Sequence, residues 1–132
     1  MEKQKIKLVV VLCMVLVMLV NPITSLAASS DTWSVNYAKN VPSTELNQTD
    51  YCTLAYYSDG YKATCSKLTG STDRMIKITS SSAGGMSTVT MTTTGTSSIW
   101  KMKSSTTGNV KFTVTGYGNL SCYSTGTIKC AY

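Results

Sequence analysis

Apolar and polar residues change places at nearly every step over long parts of this chain. Trp33, Val35 and Tyr37 alternate with Thr32, Ser34 and Asn36, and Val110, Phe112 and Val114 alternate with Lys111, Thr113 and Thr115. A period of two sends one set to a buried sheet face and the other to solvent, which is the pattern of a half-buried strand. Residues 86–93 repeat it, with Val89 and Met91 inward and Thr88, Thr90 and Thr92 outward. Shorter apolar bursts predict further strands over 51–57, 61–68, 75–78, 99–102, 120–123 and 127–131.

Turn residues fill the gaps. Pro42 ends the first strand because it has no N–H to donate to a ladder. Residues 43–50 read as a polar loop and 80–85 as a flexible one. Ser58-Asp59-Gly60 joins 51–57 to 61–68 as a hairpin, since Asp-Gly supplies the positive φ such a turn demands. Ser124-Thr125-Gly126 reads as a second hairpin, between 120–123 and 127–131. Turns are also expected at 70–73, 95–98, 104–109 and 116–119. The predicted fold is all-β: an antiparallel β-sandwich or small barrel of about eight strands.

No segment shows a helical period. About a third of the residues after position 27 are Ser or Thr, a poor composition for helices and a tolerable one for strands. Ahead of them lies a different kind of segment. Lys3, Lys5 and Lys7 precede an unbroken apolar run from Leu8 to Val20, then Asn21-Pro22 and the small residues of Ser25-Leu26-Ala27. Basic head, apolar middle and small-residue cleavage site are the three parts of a secretory signal peptide. The run falls short of the ~20 apolar residues a comfortable membrane span needs. The expected organisation is a cleaved leader at 1–27 and one secreted β domain at 28–132, with no stable membrane insertion after cleavage.

An oxidising compartment changes the reading of the cysteines. Cys13 leaves with the leader, and Cys52, Cys65, Cys122 and Cys130 remain, an even set that suggests two disulfides. Three connectivities are open. The hairpin reading favours Cys52 with Cys65 and Cys122 with Cys130. Zinc is disfavoured, because the spacings are wide and the chain has no histidine.

The absence of histidine also removes Ser-His-Asp and Cys-His nucleophile systems. Glycoside hydrolysis asks for two positioned carboxylates, and only Asp31, Glu45, Asp50, Asp59 and Asp73 follow the leader. Glu45 and Asp50 share a polar loop where solvated side chains are the ordinary reading. Ser-Lys pairs are too plentiful to inform. No catalytic residue, metal or cofactor is predicted, and the chain is not expected to be an enzyme.

Nine basic residues against five acids leave a mild positive charge after the leader, and only Arg74 among them is an arginine. Bidentate recognition of phosphates or base edges therefore has almost no residue to use, and nucleic acid is not an expected partner. Anionic wall polymers or membranes fit such a field better. Tyr51, Tyr56, Tyr57 and Tyr61, with Lys62 beside them, crowd the first predicted hairpin. Tyrosine offers rigid contact area with a polar tip, so these five are the predicted binding residues, although aromatic pairs also stabilise hairpins. Trp33 and Trp100 are assigned to the core. Thr88-Val89-Thr90-Met91-Thr92 could order water, but no repeat extends the array. Asn47-Gln48-Thr49 and Asn119-Leu120-Ser121 match the glycosylation acceptor pattern at a level chance explains. The expected function is non-enzymatic binding of an extracellular ligand, a cell-wall glycan or a protein surface. A bacteriocin-like toxin or secreted inhibitor is the alternative.

Overall fold

The computed structural model of the chain describes residues 29–131. The predicted leader, Cys13 and the cleavage site lie outside the described residues. Eight strands make up the regular structure: β1 (Ser30–Ala38), β2 (Thr49–Ala55), β3 (Tyr61–Gly70), β4 (Met75–Thr79), β5 (Thr88–Met91), β6 (Gly95–Thr96), β7 (Asn109–Tyr117) and β8 (Ser121–Cys130). They form two antiparallel four-stranded sheets. The first has the order β1-β8-β3-β6 and the second β2-β7-β4-β5. Among the described residues no helix is long and apolar enough to cross a membrane.

The alternation seen in the sequence is the alternation of burial. Trp33, Val35, Val110, Phe112, Val114, Val89 and Met91 all face one shared core, joined by Leu54, Tyr61, Ile76, Ile78 and Ile128. The rings lock edge to face: Tyr61 and Phe112 centroids are 5.1 Å apart, and Trp100 and Phe112 centroids 5.5 Å. Such geometry sets the positive edge of one ring against the negative face of the next. Polar atoms that enter the core are answered, as where the Trp33 indole N–H donates to Ser124 Oγ at 3.2 Å. Among the described residues no buried side-chain nitrogen or oxygen lacks a partner.

Chain order differs from the two predicted hairpins. Consecutive strands change sheet at almost every connection, and β4 with β5 is the one sequence-adjacent pair that hydrogen-bonds within a sheet. β2 and β3 belong to different sheets and are joined by an arch at 56–60. Gly60 still meets the steric demand read from the sequence: its φ is +100°, and a Cβ there would lie 2.5 Å from the Trp100 carbonyl oxygen. Tyr61 fastens the arch, its hydroxyl accepting the Tyr57 N–H at 2.8 Å and donating to the Ala55 carbonyl.

The second hairpin is a single strand, β8, running unbroken through Ser124-Thr125-Gly126. Gly126 is there for close approach, not for a turn. A Cβ at Gly126 would overlap the Trp33 ring and the Thr64 carbonyl oxygen, the usual meaning of glycine inside a strand.

These topological facts overturn the expected bridges. Cys122 and Cys130 stand eight residues apart on β8, roughly 26 Å along the strand, far beyond the ~7 Å Cα limit of a disulfide. Cys52 lies on β2 in the second sheet and Cys65 on β3 in the first. All four cysteines are free and buried. Two smaller expectations also change. The break at 95–98 contains β6, and 99–102 makes two isolated bridges, Trp100 to Tyr61 and Met102 to Ala83, in place of a strand.

One flank of the sandwich is stitched shut. β1 and β2 are edge strands of different sheets lying side by side, and each caps the other with a carboxylate. Asp50 Oδ2 accepts the Ser34 N–H at 2.8 Å, and Asp31 Oδ2 accepts the Thr53 N–H at 2.9 Å. Asn47 adds a bond from its amide nitrogen to the Ser34 carbonyl at 2.7 Å. Free edge donors that would otherwise template another chain are thereby occupied.

Candidate binding faces

The five residues predicted as a contact surface are dispersed by the change of sheet. Tyr61 is wholly buried, and Tyr57 packs against the core. Tyr56 is exposed on the arch, Tyr51 stands on the outer face of the second sheet, and Lys62 on the outer face of the first. Burial pushes the Tyr61 hydroxyl up to about 12, opposed in part by the Tyr57 N–H it accepts. Tyr61 is a structural post.

What replaces the cluster is the outer face of the second sheet. Registers place Tyr51, Thr113, Thr79 and Thr88 in one row across β2, β7, β4 and β5. The next row is Thr49, Thr115, Lys77 and Thr90. Lys111 opposite Thr53 closes one end, and Tyr117 opposite Met75 the other. Tyr51 is 54% exposed and Tyr117 42%, so both rings are open to a partner. They lie on neighbouring strands about 14 Å apart along the sheet, from the strand rise.

Each ring is held by a cation. Lys111 Nζ sits 4.1 Å from the Tyr51 centroid and Lys77 Nζ 5.5 Å from that of Tyr117, within the range of cation–π attraction. Between the rings Thr49 and Thr115 share a hydroxyl hydrogen bond at 3.3 Å. Thr90 also lines a cleft of about 330 Å³ with Met86, Met91, Thr92 and Thr94. The face thus offers two aromatic platforms, two ammonium groups and a grid of hydroxyls, with no carboxylate of the described residues on it.

The sequence reading did not include Tyr117, Lys77 or Lys111 among the binding residues. Tyr117 shares the parity of Lys111, Thr113 and Thr115, and that signal was present; assigning 116–119 to a turn cut it off, whereas β7 runs through Tyr117. Nothing in the sequence places Lys77 beside β7, since that is a matter of strand order.

The remaining polar groups serve the scaffold. Asp50 lies in β2 rather than in a loop with Glu45, and its two oxygens take the Ser34 and Tyr51 N–H groups. Asp73 Oδ1 accepts the Asn119 N–H at 2.9 Å, and this bond leads in holding its carboxyl below the usual range, helped by the Ser71 hydroxyl. Burial, with Asp31 and Asp50 nearby, pushes the Cys52 thiol up to about 12, and burial also raises Cys122 and Cys130. Thiols so disfavoured as thiolates are poor nucleophiles and poor ligands. Among the described residues no group of three or more His, Cys, Asp or Glu is arranged to hold a metal ion. Comparison of the chain with protein-family models, curated proteins and solved structures gives no match. The class defined by the fold is therefore a β-sandwich-like protein with two open outer faces.

Proposed function

We propose that this chain is an exported, non-enzymatic β-sandwich protein that holds an extracellular glycan on the outer face of its second sheet. The observation that carries the reading is the pairing of two exposed tyrosines, Tyr51 and Tyr117, across a grid of threonine hydroxyls. Sugars present apolar C–H faces and polar edges together, and the same residues answer both: rings stack on the faces while Thr hydroxyls and the Lys77 and Lys111 ammoniums meet the edges. Both sheets rest on one well-packed core, so the platform is pre-organised and binding costs little ordering of the chain. Export is supported by the leader pattern at 1–27. The free thiols withdraw the support that disulfides would have lent.

The test is retention of purified protein on insoluble cell-wall polysaccharide. Tyr51→Ala and Tyr117→Ala are each expected to weaken retention roughly tenfold, as loss of an aromatic anchor does, with Tyr56→Ala close to the parent. Retention no better than background, or unaffected by both changes, discards the reading. Growth inhibition or protease inhibition by a protein that does not bind polysaccharide would instead favour the toxin or inhibitor class. Export is checked by sequencing the N-terminus of protein recovered from the medium, expected at Ala28.

A further inference from the structure

The first sheet has its own outer face, and one feature of it works against folding. Lys62 on β3 is the direct cross-strand partner of Lys129 on β8. Like charges in that position repel and destabilise the pairing, and a threonine or carboxylate at either site would relieve them. Where a sequence breaks a local rule with no structural return, a functional demand is the usual cause.

The surroundings repeat the theme. Beside the lysine pair runs a row of four threonines, Thr32, Thr127, Thr64 and Thr96, one from each strand of the sheet. The following row ends in Lys67, whose Nζ lies 4.9 Å from the Tyr123 ring centroid. Among the described residues no carboxylate occupies the face. Asp31 and Asp50 are turned into the seam between edge strands, Asp73 caps Asn119, and Glu45 and Asp59 lie in connections. Three ammoniums therefore flank a hydroxyl row with no carboxylate of the described residues on the face to neutralise them.

We infer that this outer face binds an anionic polysaccharide, its acidic groups bridging Lys62 and Lys129 and reaching Lys67, its hydroxyls meeting the threonine row. The site is distinct from the tyrosine face and stands on a different observation. Nucleic acid fits less well, because Arg74 has its guanidinium committed to the Leu68 and Ser71 carbonyls and the Tyr123 ring on this face is half-buried with Lys67 over it. A lipid surface fits less well because the exposed large apolar side chains, Tyr51, Tyr56, Met86, Ile99, Tyr117 and Leu120, all lie off this face.

The experiment is calorimetric titration of the whole protein with polygalacturonate, alongside neutral dextran, anionic phospholipid vesicles and duplex DNA. Lys62→Gln with Lys129→Gln should weaken polygalacturonate binding roughly tenfold. Lys39→Gln with Lys101→Gln, exposed lysines off the face, should change it by less than about twofold. Added salt should weaken the parent complex more than that of the face variant. The unbound face variant should also melt higher than the parent, which shows that it folds and that the repulsion was real. Equal losses from both lysine pairs, dextran binding as tight as polygalacturonate, or tighter binding to vesicles or DNA would each overturn the proposal. Failure of the tyrosine variants to matter would leave this site untouched, so the two readings fail separately.

Discussion

Gly126 shows how much one missing methyl group decides. It lets the Trp33 ring press close against β8, so the indole can reach Ser124 within the core. Gly126→Ala is expected to cost about 3 kcal/mol, because the added Cβ meets a ring and a backbone carbonyl that cannot both move aside. Denaturant unfolding followed by tryptophan emission measures it, and a loss below about 1 kcal/mol would contradict the packing described. The buried thiols make a second prediction at this scale. In the folded chain Cys52 keeps its proton to about pH 12, whereas an unfolded cysteine loses it near pH 8.5. Its contribution to stability is thus whole below pH ~8.5 and is lost as pH climbs toward the folded value. Melting temperature should fall through that window, less steeply in Cys52→Val. A maleimide should leave the native domain's four cysteines unlabelled and modify all four after denaturation; fast native labelling would contradict their burial.

The strands themselves were legible. The inward sets Trp33/Val35, Val89/Met91 and Val110/Phe112/Val114 were readable because a period of two needs only local sequence, and each occupies the core. The loop after Pro42 and the turn after Gly70 were readable for the same reason, but not their bounds: β1 already ends at Ala38, β2 takes in Thr49 and Asp50, and β3 runs through Gly70. Pairing was not. Asp59-Gly60 satisfies the φ requirement of a hairpin and of an arch between sheets equally well, so the dipeptide could not choose between them. Gly126 has the composition of a turn and the role of a void. Both errors carried the cysteines with them, since the expected bridges depended on the hairpins. At this scale the seam between β1 and β2 is the testable element. Asp31→Ala and Asp50→Ala each delete one carboxylate cap on an edge strand and should cost about 1 kcal/mol. More telling is association: light scattering should rise with concentration in the variants and stay flat in the parent. Unchanged scattering in the double variant would mean the caps do not guard the edge.

For the molecule as a whole, charge is arranged rather than merely present. Five acids and nine bases lie after position 27, yet the acids sit in seams, turns and loops while Lys62, Lys67, Lys77, Lys111 and Lys129 take the two outer faces. The candidate surfaces are products of that arrangement. Tyr51 joins Tyr117, and Lys62 joins Lys129, only because non-adjacent strands pair as β2 with β7 and β3 with β8.

By itself the sequence determined which residues turn inward, that the chain is built of strands and where most of them break, because sheet sidedness follows from alternation between neighbours along the chain. Tertiary structure alone decided which strands lie together, that the cysteines stay apart, and which tyrosines and lysines share a surface. Strand order is chosen by the fit of whole inner faces against one another, in contacts between residues far apart in the chain, and no short window of sequence contains that comparison.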